Sequence, residues 1–273
     1  MKRATLLAIL AVATPRLVVA AGPELRFLRD GTEVRRLDRD ALTAGCPPTT
    51  VGIDDPYYAS RKTYRAMRLA CVLTLGFGDA AGWRDRDVVL RARDGYERPT
   101  TAARLLEDGG YVAVGDVGRT SGWEPLGRAQ VDPGPFYVVW ARPEQADTDR
   151  WPWPYQLADV EITDWVTTHP HTAPRTAAAD SAPWKGFALF RERCVACHAV
   201  NGEGGRVGPD LNIPQSVVEY WPEAQLKRYI RDPSTFRYGN MPSHPDLTDA
   251  DLDALIAYFR TMKTLKYDPH RQP

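Results

Sequence analysis

Cys194-Val195-Ala196-Cys197-His198 constrains this chain more than any other stretch of its 273 residues. Two residues between the cysteines put both thiols on one side of a helical turn. They can then add to two vinyl groups on one edge of a porphyrin, while the adjacent histidine reaches the iron. A Cys-x-x-Cys pair also occurs as a zinc half-site or a redox dithiol. Structural zinc wants four protein ligands, and no second cysteine pair lies in this part of the chain. A thioredoxin-like dithiol follows a strand, whereas this motif follows an amphipathic stretch and precedes a glycine-rich loop. The motif therefore predicts one covalent c-type haem on Cys194 and Cys197, with His198 as an axial iron ligand.

The second axial ligand is a narrower question. Beyond residue 21 the chain has Met67, Met241 and Met262. Met67 falls in a different region and Met262 falls late on a helix. Met241 sits in Gly239-Asn240-Met241-Pro242, a loop that can aim a side chain at a fixed target. His244, three residues on, is the rival. His/Met ligation raises the reduction potential and leaves no open position for substrate, which favours electron transfer over oxygen chemistry.

Helical periodicity surrounds the motif. Trp184 to Arg193 is amphipathic, Glu219 to Arg231 reads as a second helix, and Thr248 to Leu265 as a third, with Thr248 as N-cap and acids in the first turn. Residues 164–181, with Pro170, Pro174 and Ala177-Ala178-Ala179, read as a stiff, solvated linker in which His169 and His171 are plain linker residues. Residues 22–163 read as a mixed α+β domain. Its strands are expected at Val88 to Arg93, ending at the Asp94-Gly95 turn, at Tyr111 to Val114, at Phe136 to Trp140 and at Leu157 to Ile162, with a short helix from Thr101 to Leu106. The Phe136 to Trp140 run is the most apolar and is expected at the centre of its sheet.

The N-terminus reads as a cleaved export signal over residues 1–21. Lys2 and Arg3 precede an apolar run, Ala4 to Thr14, and Ala20 and Ala21 offer a cleavage site. Pro15 and Arg16 keep that run shorter than the roughly 20 residues a membrane-spanning helix needs. No later segment is apolar for long enough, so the expectation is a periplasmic protein with no transmembrane span. Cleavage would leave 32 basic and 35 acidic side chains, with no basic excess to favour nucleic acid. In an oxidising compartment Cys46 and Cys71 are either a disulfide or two buried thiols.

Residues 182–273 resemble the class I cytochrome c family. Gly186 and Phe190 precede the motif at helical spacing, Gly208-Pro209-Asp210-Leu211 follows it, Asp232-Pro233 and Tyr238 lead to Met241-Pro242, and Leu255 to Phe259 looks like the family's terminal helix. The resemblance implies an all-α domain, a hydrogen bond from His198 to the Pro209 carbonyl, and a helix crossing near Gly186. Residues 22–163 resemble the molybdopterin-binding domain of the sulfite oxidase family through Thr63-Tyr64-Arg65, Leu69 to Gly76, Val88 to Tyr96 and Pro133-Gly134-Pro135. That family holds molybdenum through a cysteine followed closely by glycine and asparagine. Here Pro47-Pro48 follow Cys46 and Val72-Leu73 follow Cys71, so a cofactor-free relative is expected. Together these readings describe a multi-domain electron carrier, an α+β domain followed by a cytochrome c domain, exchanging single electrons with a redox protein donor and acceptor. The alternative is a molybdopterin-dependent oxidoreductase that feeds its own haem.

Overall fold

The computed structural model describes residues 22–120, 122–127, 129–237, 239, 241–269 and 271. The expected export signal over 1–21 and Tyr238 lie outside them. The first region runs β1 (Glu24–Arg29), β2 (Thr32–Asp38), α1 (Arg39–Gly45), β3 (Thr49–Asp55), β4 (Ser60–Arg68), α2 (Leu69–Phe77), β5 (Asp87–Ala92), β6 (Glu97–Thr101), α3 (Ala102–Leu105), β7 (Gly110–Asp116), β8 (Tyr137–Trp140) and β9 (Leu157–Thr163). Two sheets form, in the orders β2-β1-β9-β5-β6 and β3-β4-β7-β8. Only the β1–β9 pair is parallel. Both sheets feed one core: Phe27, Leu90 and Val160 from one, Met67, Val112 and Tyr137 from the other. A mixed α+β domain is thus a two-layer packing of half-buried sheets.

The expected strands are present, but their places differ. The run ending at Trp140 lies on β8, at the edge of its sheet rather than the centre. All four β8 residues are nevertheless buried, and Val138 donates its N–H to the Pro154 carbonyl at 3.0 Å. The apolar run reports burial under other chain segments, not position in the ladder. The central strand of the larger sheet is instead β9, paired with β1 on one side and β5 on the other. Cys46 and Cys71 are joined in a disulfide, with Cα atoms 5.9 Å apart. It ties the end of α1 to α2.

The second region contains α5 (Ala182–Arg193), α6 (Val217–Tyr220), α7 (Glu223–Arg231) and α8 (Asp249–Lys263). The expected helix from Glu219 to Arg231 is broken. Ser216 and Glu219 cap α6 reciprocally, and α7 begins after Trp221-Pro222. Proline has no N–H to continue the ladder and so resets the helix. The region is not purely helical either, because Ala199–Val200 (β10) and Glu203–Gly204 (β11) form a small antiparallel pair. Helices α5 and α8 pack directly on each other. A Cβ on Gly186 would lie 2.0 Å from the Ala254 carbonyl oxygen, so only glycine allows this approach.

Residues 164–181 are not a solvated tether. Trp165 opens a short helix, α4 (Trp165–Thr168), and is fully buried. Its ring stacks on His169 at 3.6 Å. His169 is buried as well, with Nε2 2.8 Å from Glu97 Oε1 on β6. His171 stacks on Tyr267 and meets Glu203 at 2.6 Å, and the carbonyl of Thr172 accepts from the Tyr258 hydroxyl at 2.8 Å. Both histidines are packing residues, His169 fastening the segment to the first region and His171 to the second. The polar composition misled because His169 and His171 find carboxylate partners on the two domains, Glu97 and Glu203.

Candidate haem site

The haem-binding motif extends α5. The N–H of Cys194 bonds to the Phe190 carbonyl at 2.9 Å and that of His198 to the Cys194 carbonyl at 3.0 Å. One helical turn therefore carries both thiols and the imidazole. The loop that follows is held against this turn. Gly208 donates to the Cys197 carbonyl at 2.7 Å, and Leu211 to the Ala199 carbonyl at 2.8 Å. Nδ1 of His198 lies 2.8 Å from the Pro209 carbonyl oxygen. A carbonyl only accepts, so the proton sits on Nδ1 and the Nε2 lone pair stays free for a metal. A Cβ on Gly208 would stand 2.5 Å from His198 Cε1, which is why glycine occupies that position.

Three residues that sequence reasoning passed over fasten the loop. Asp210 accepts the N–H groups of Gly202, Asn212 and Ile213 at 2.7, 2.7 and 2.9 Å. Asn201 and Asn212 are fully buried and bond to each other at 2.8 Å. Asn201 also donates to the His171 and Leu265 carbonyls, and Asn212 to that of Met262. The Asn-Gly pair at 201–202 and the Asp-x-Asn at 210–212 were the available signals, since such residues commonly bond to nearby backbone.

Cys194, Cys197, His198 and Met241 all line one cleft of ≈ 460 Å³. Its walls include Leu226, Tyr229, Leu255 and Phe259, from α7 and α8. That size and an apolar lining with few convergent polar groups suit a flat, largely apolar cofactor. His244 lines the cleft as well, so the structure brings both candidate axial ligands to the same space. Among the described residues no group of three or more His, Cys, Asp or Glu side chains converges as a metal site. Burial pushes the Cys194 thiol up to about 12 and raises Cys197 too. Burial also lowers His198, against the opposing hydrogen bond to Pro209, which keeps its ring neutral and able to ligate. Two thiols, an oriented imidazole and a thioether around one apolar cleft make a donor set that suits a porphyrin.

Comparison with known proteins agrees over this region. Residues 184–263 match the cytochrome c family model. The C-terminal region is a cytochrome c domain. Its cofactor is covalently bound haem c. The chain is 36% identical over 89 residues to cytochrome c oxidase subunit 2 of Alkalihalophilus pseudofirmus, covering 30% of this chain and 26% of that protein. It is 27% identical over 104 residues to the same subunit of Bacillus sp. strain PS3, covering 33% and 29%. It is 35% identical over 97 residues to lupanine 17-hydroxylase [cytochrome c] of Pseudomonas sp, covering 35% and 13%. The chain thus spans under a third of the length of each of these relatives. The α+β domain before the cytochrome c domain lies outside the family match, and among the described residues no helix is long and apolar enough to cross a membrane.

Proposed function

We propose that this protein is an exported, periplasmic mono-haem cytochrome that relays single electrons between a donor and an acceptor protein. The observation that carries the reading is the convergence of Cys194, Cys197, His198 and Met241 on one apolar cleft. Bound there, haem supplies a one-electron ferric/ferrous couple. The chain supplies the rest. Cys194 and Cys197 anchor one porphyrin edge, the Pro209 carbonyl orients His198, and the apolar walls keep water from the iron. We assign the second axial position to Met241. Its loop precedes α8, and its side chain packs at the edge of the cytochrome core while lining the cleft. His244 is buried as a wall residue, its backbone N–H bonded to the Arg231 carbonyl at 3.1 Å. With His198 and Met241 both available to the iron, the chain would leave a bound haem no open position for substrate, so the chemistry it would supply is electron transfer.

The N-terminal domain, on this reading, is a cofactor-free relative of the molybdopterin-binding fold that serves docking. The disulfide supports this, because it consumes both cysteines of the domain and leaves no thiolate for molybdenum. The same bond suits an oxidising compartment, and so export. One observation favours the alternative of an enzyme feeding its own haem: the name of the Pseudomonas relative is that of a hydroxylase. Metal and pterin analysis of protein made in a host with intact cofactor synthesis separates the two. The carrier reading expects iron equal to protein and no molybdenum. Stoichiometric molybdenum would overturn it. Cys194→Ala/Cys197→Ala protein should release its haem to acidified organic solvent, whereas the parent should retain it.

A further inference from the structure

The N-terminal domain meets the cytochrome c domain at the haem-attachment turn. Glu97 on β6 donates its N–H to the Ala196 carbonyl at 3.0 Å, and Arg206 donates to the Gly95 carbonyl at 2.8 Å. Ala196 lies between the two attachment cysteines. Next along β6 is Arg98, only 5% exposed. Its guanidinium donates to the carbonyl of Glu192, in the last turn of α5, and to the carbonyl of Asp149. The last carbonyls of a helix have no partner inside it, so Arg98 caps α5 from the other domain.

What Arg98 lacks is a counterion. Among the described residues no carboxylate lies within ion-pair distance of it, and both of its partners are neutral carbonyls. The neighbouring cation, Arg193, is different, because Asp149 and Asp246 both pair with it. Tyr96, beside Arg98, has its phenol raised by burial and stays neutral. The other nearby charge is Asp94, exposed on the β5–β6 turn, where Oδ1 accepts from the Tyr96 N–H at 3.0 Å. The turn that carries Asp94 lies against the haem domain, through the bond from the Arg206 N–H to the Gly95 carbonyl. A buried, uncompensated cation in a medium of low dielectric projects its field further than a paired one does.

We infer that Arg98 is a potential-setting residue: the N-terminal domain raises the reduction potential of the haem by placing an unpaired guanidinium beside its attachment turn, with Asp94 as the counterweight. Ferric haem carries one more positive charge than ferrous haem. A fixed cation nearby therefore destabilises the oxidised form and an anion stabilises it. Reduction adds one electron to the iron and leaves Arg98 charged throughout. The inference rests on the haem-carrier reading and extends it, since it gives the N-terminal domain a direct electronic task.

The test is a spectroelectrochemical titration of the full-length holoprotein at low ionic strength, with haem content checked first by the pyridine haemochrome spectrum. Arg98→Met should lower the potential, Arg98→Lys should stay close to the parent, and Asp94→Asn should raise it. Asp94 is exposed and asparagine can keep the turn, so this variant decides the matter even if Arg98→Met does not fold. An unchanged potential in Arg98→Met, an equal fall in Arg98→Lys, or no rise in Asp94→Asn overturns the inference. A parent protein without covalent haem sinks the carrier reading itself, and this inference with it.

Discussion

The N–H of Glu97 points at the carbonyl of Ala196, so a strand of the first domain is hydrogen-bonded to the peptide between the two haem-anchoring cysteines. The side chain of the same glutamate reaches Arg91 at 3.1 Å and His169 at 2.8 Å. One residue thus ties together β5, the 164–181 segment and the haem motif.

This gives the domain interface a pH dependence. Burial alone would lift the Glu97 carboxyl, but His169 and Arg91 outweigh it and hold the group below its ordinary value of 4.5. A carboxyl depressed on folding contributes stability above the unfolded pKa, roughly 4.3, and loses it as pH falls through the folded value. Unfolding midpoints of the parent should therefore drop across that acid window, and Glu97→Gln should show a flatter acid limb. Parallel acid limbs in the two proteins would show that another group is responsible.

Met241→Ala should remove the weak sulfur-to-iron absorption band and lower the potential by on the order of 100 mV, well inside the span that axial ligands command. His244→Ala should leave the band in place. Optical spectra of the ferric proteins check both. A parent protein that lacks the band, with a spectrum unchanged in Met241→Ala and altered in His244→Ala, would reverse the assignment.

Gly186→Ala places a methyl group 2.0 Å from the Ala254 carbonyl oxygen, so α5 and α8 must separate. Overpacking of this kind costs about 3 kcal/mol, at the upper end of the usual range, because the obstacle is backbone. The denaturant midpoint, followed by haem absorbance, should fall accordingly. A variant as stable as the parent would mean that the helices do not cross as described.

Much of the cytochrome c domain could be read directly from the chain. The motif and the capped start of α8 follow from local geometry, whereas Gly186 and the Gly208-Pro209 loop were legible through the resemblance to class I cytochromes c. Thr248 indeed accepts from the Asp251 N–H at 3.2 Å. The features that escaped are long-range. Nothing local marks Trp165 as buried, because its pocket is made by residues from both domains. Nothing near Arg98 announces that its partner is the end of a helix 94 residues away. Even the strongest apolar run, on β8, told of burial and not of sheet position, since burial has many sources and ladder order depends on the whole topology. The choice between Met241 and His244 is of the same kind, as both reach the cleft.

The disulfide offers an independent check on the N-terminal domain. Cys46 and Cys71 are separated by 25 positions. Closing a loop of that length stabilises by about 3 kcal/mol in the chain-entropy account. Cys46→Ala/Cys71→Ala should lower the thermal midpoint of the far-ultraviolet transition while leaving the haem spectrum unchanged. Loss of the spectrum as well would mean that the haem domain cannot stand without its neighbour.

The Tyr258 hydroxyl marks where the haem domain begins. Its acceptor is the carbonyl of Thr172, and one acceptor of the Asn201 amide is the carbonyl of His171. Both donors are buried in the cytochrome core, while both acceptors lie upstream of α5. A fragment cut at residue 182 would keep every residue of the haem motif and still leave the Tyr258 phenol in the core without its acceptor, and the Asn201 amide with the Leu265 carbonyl alone to donate to. The smallest autonomous electron-carrying piece of this chain therefore starts no later than His171, in the stretch whose composition most resembles a tether.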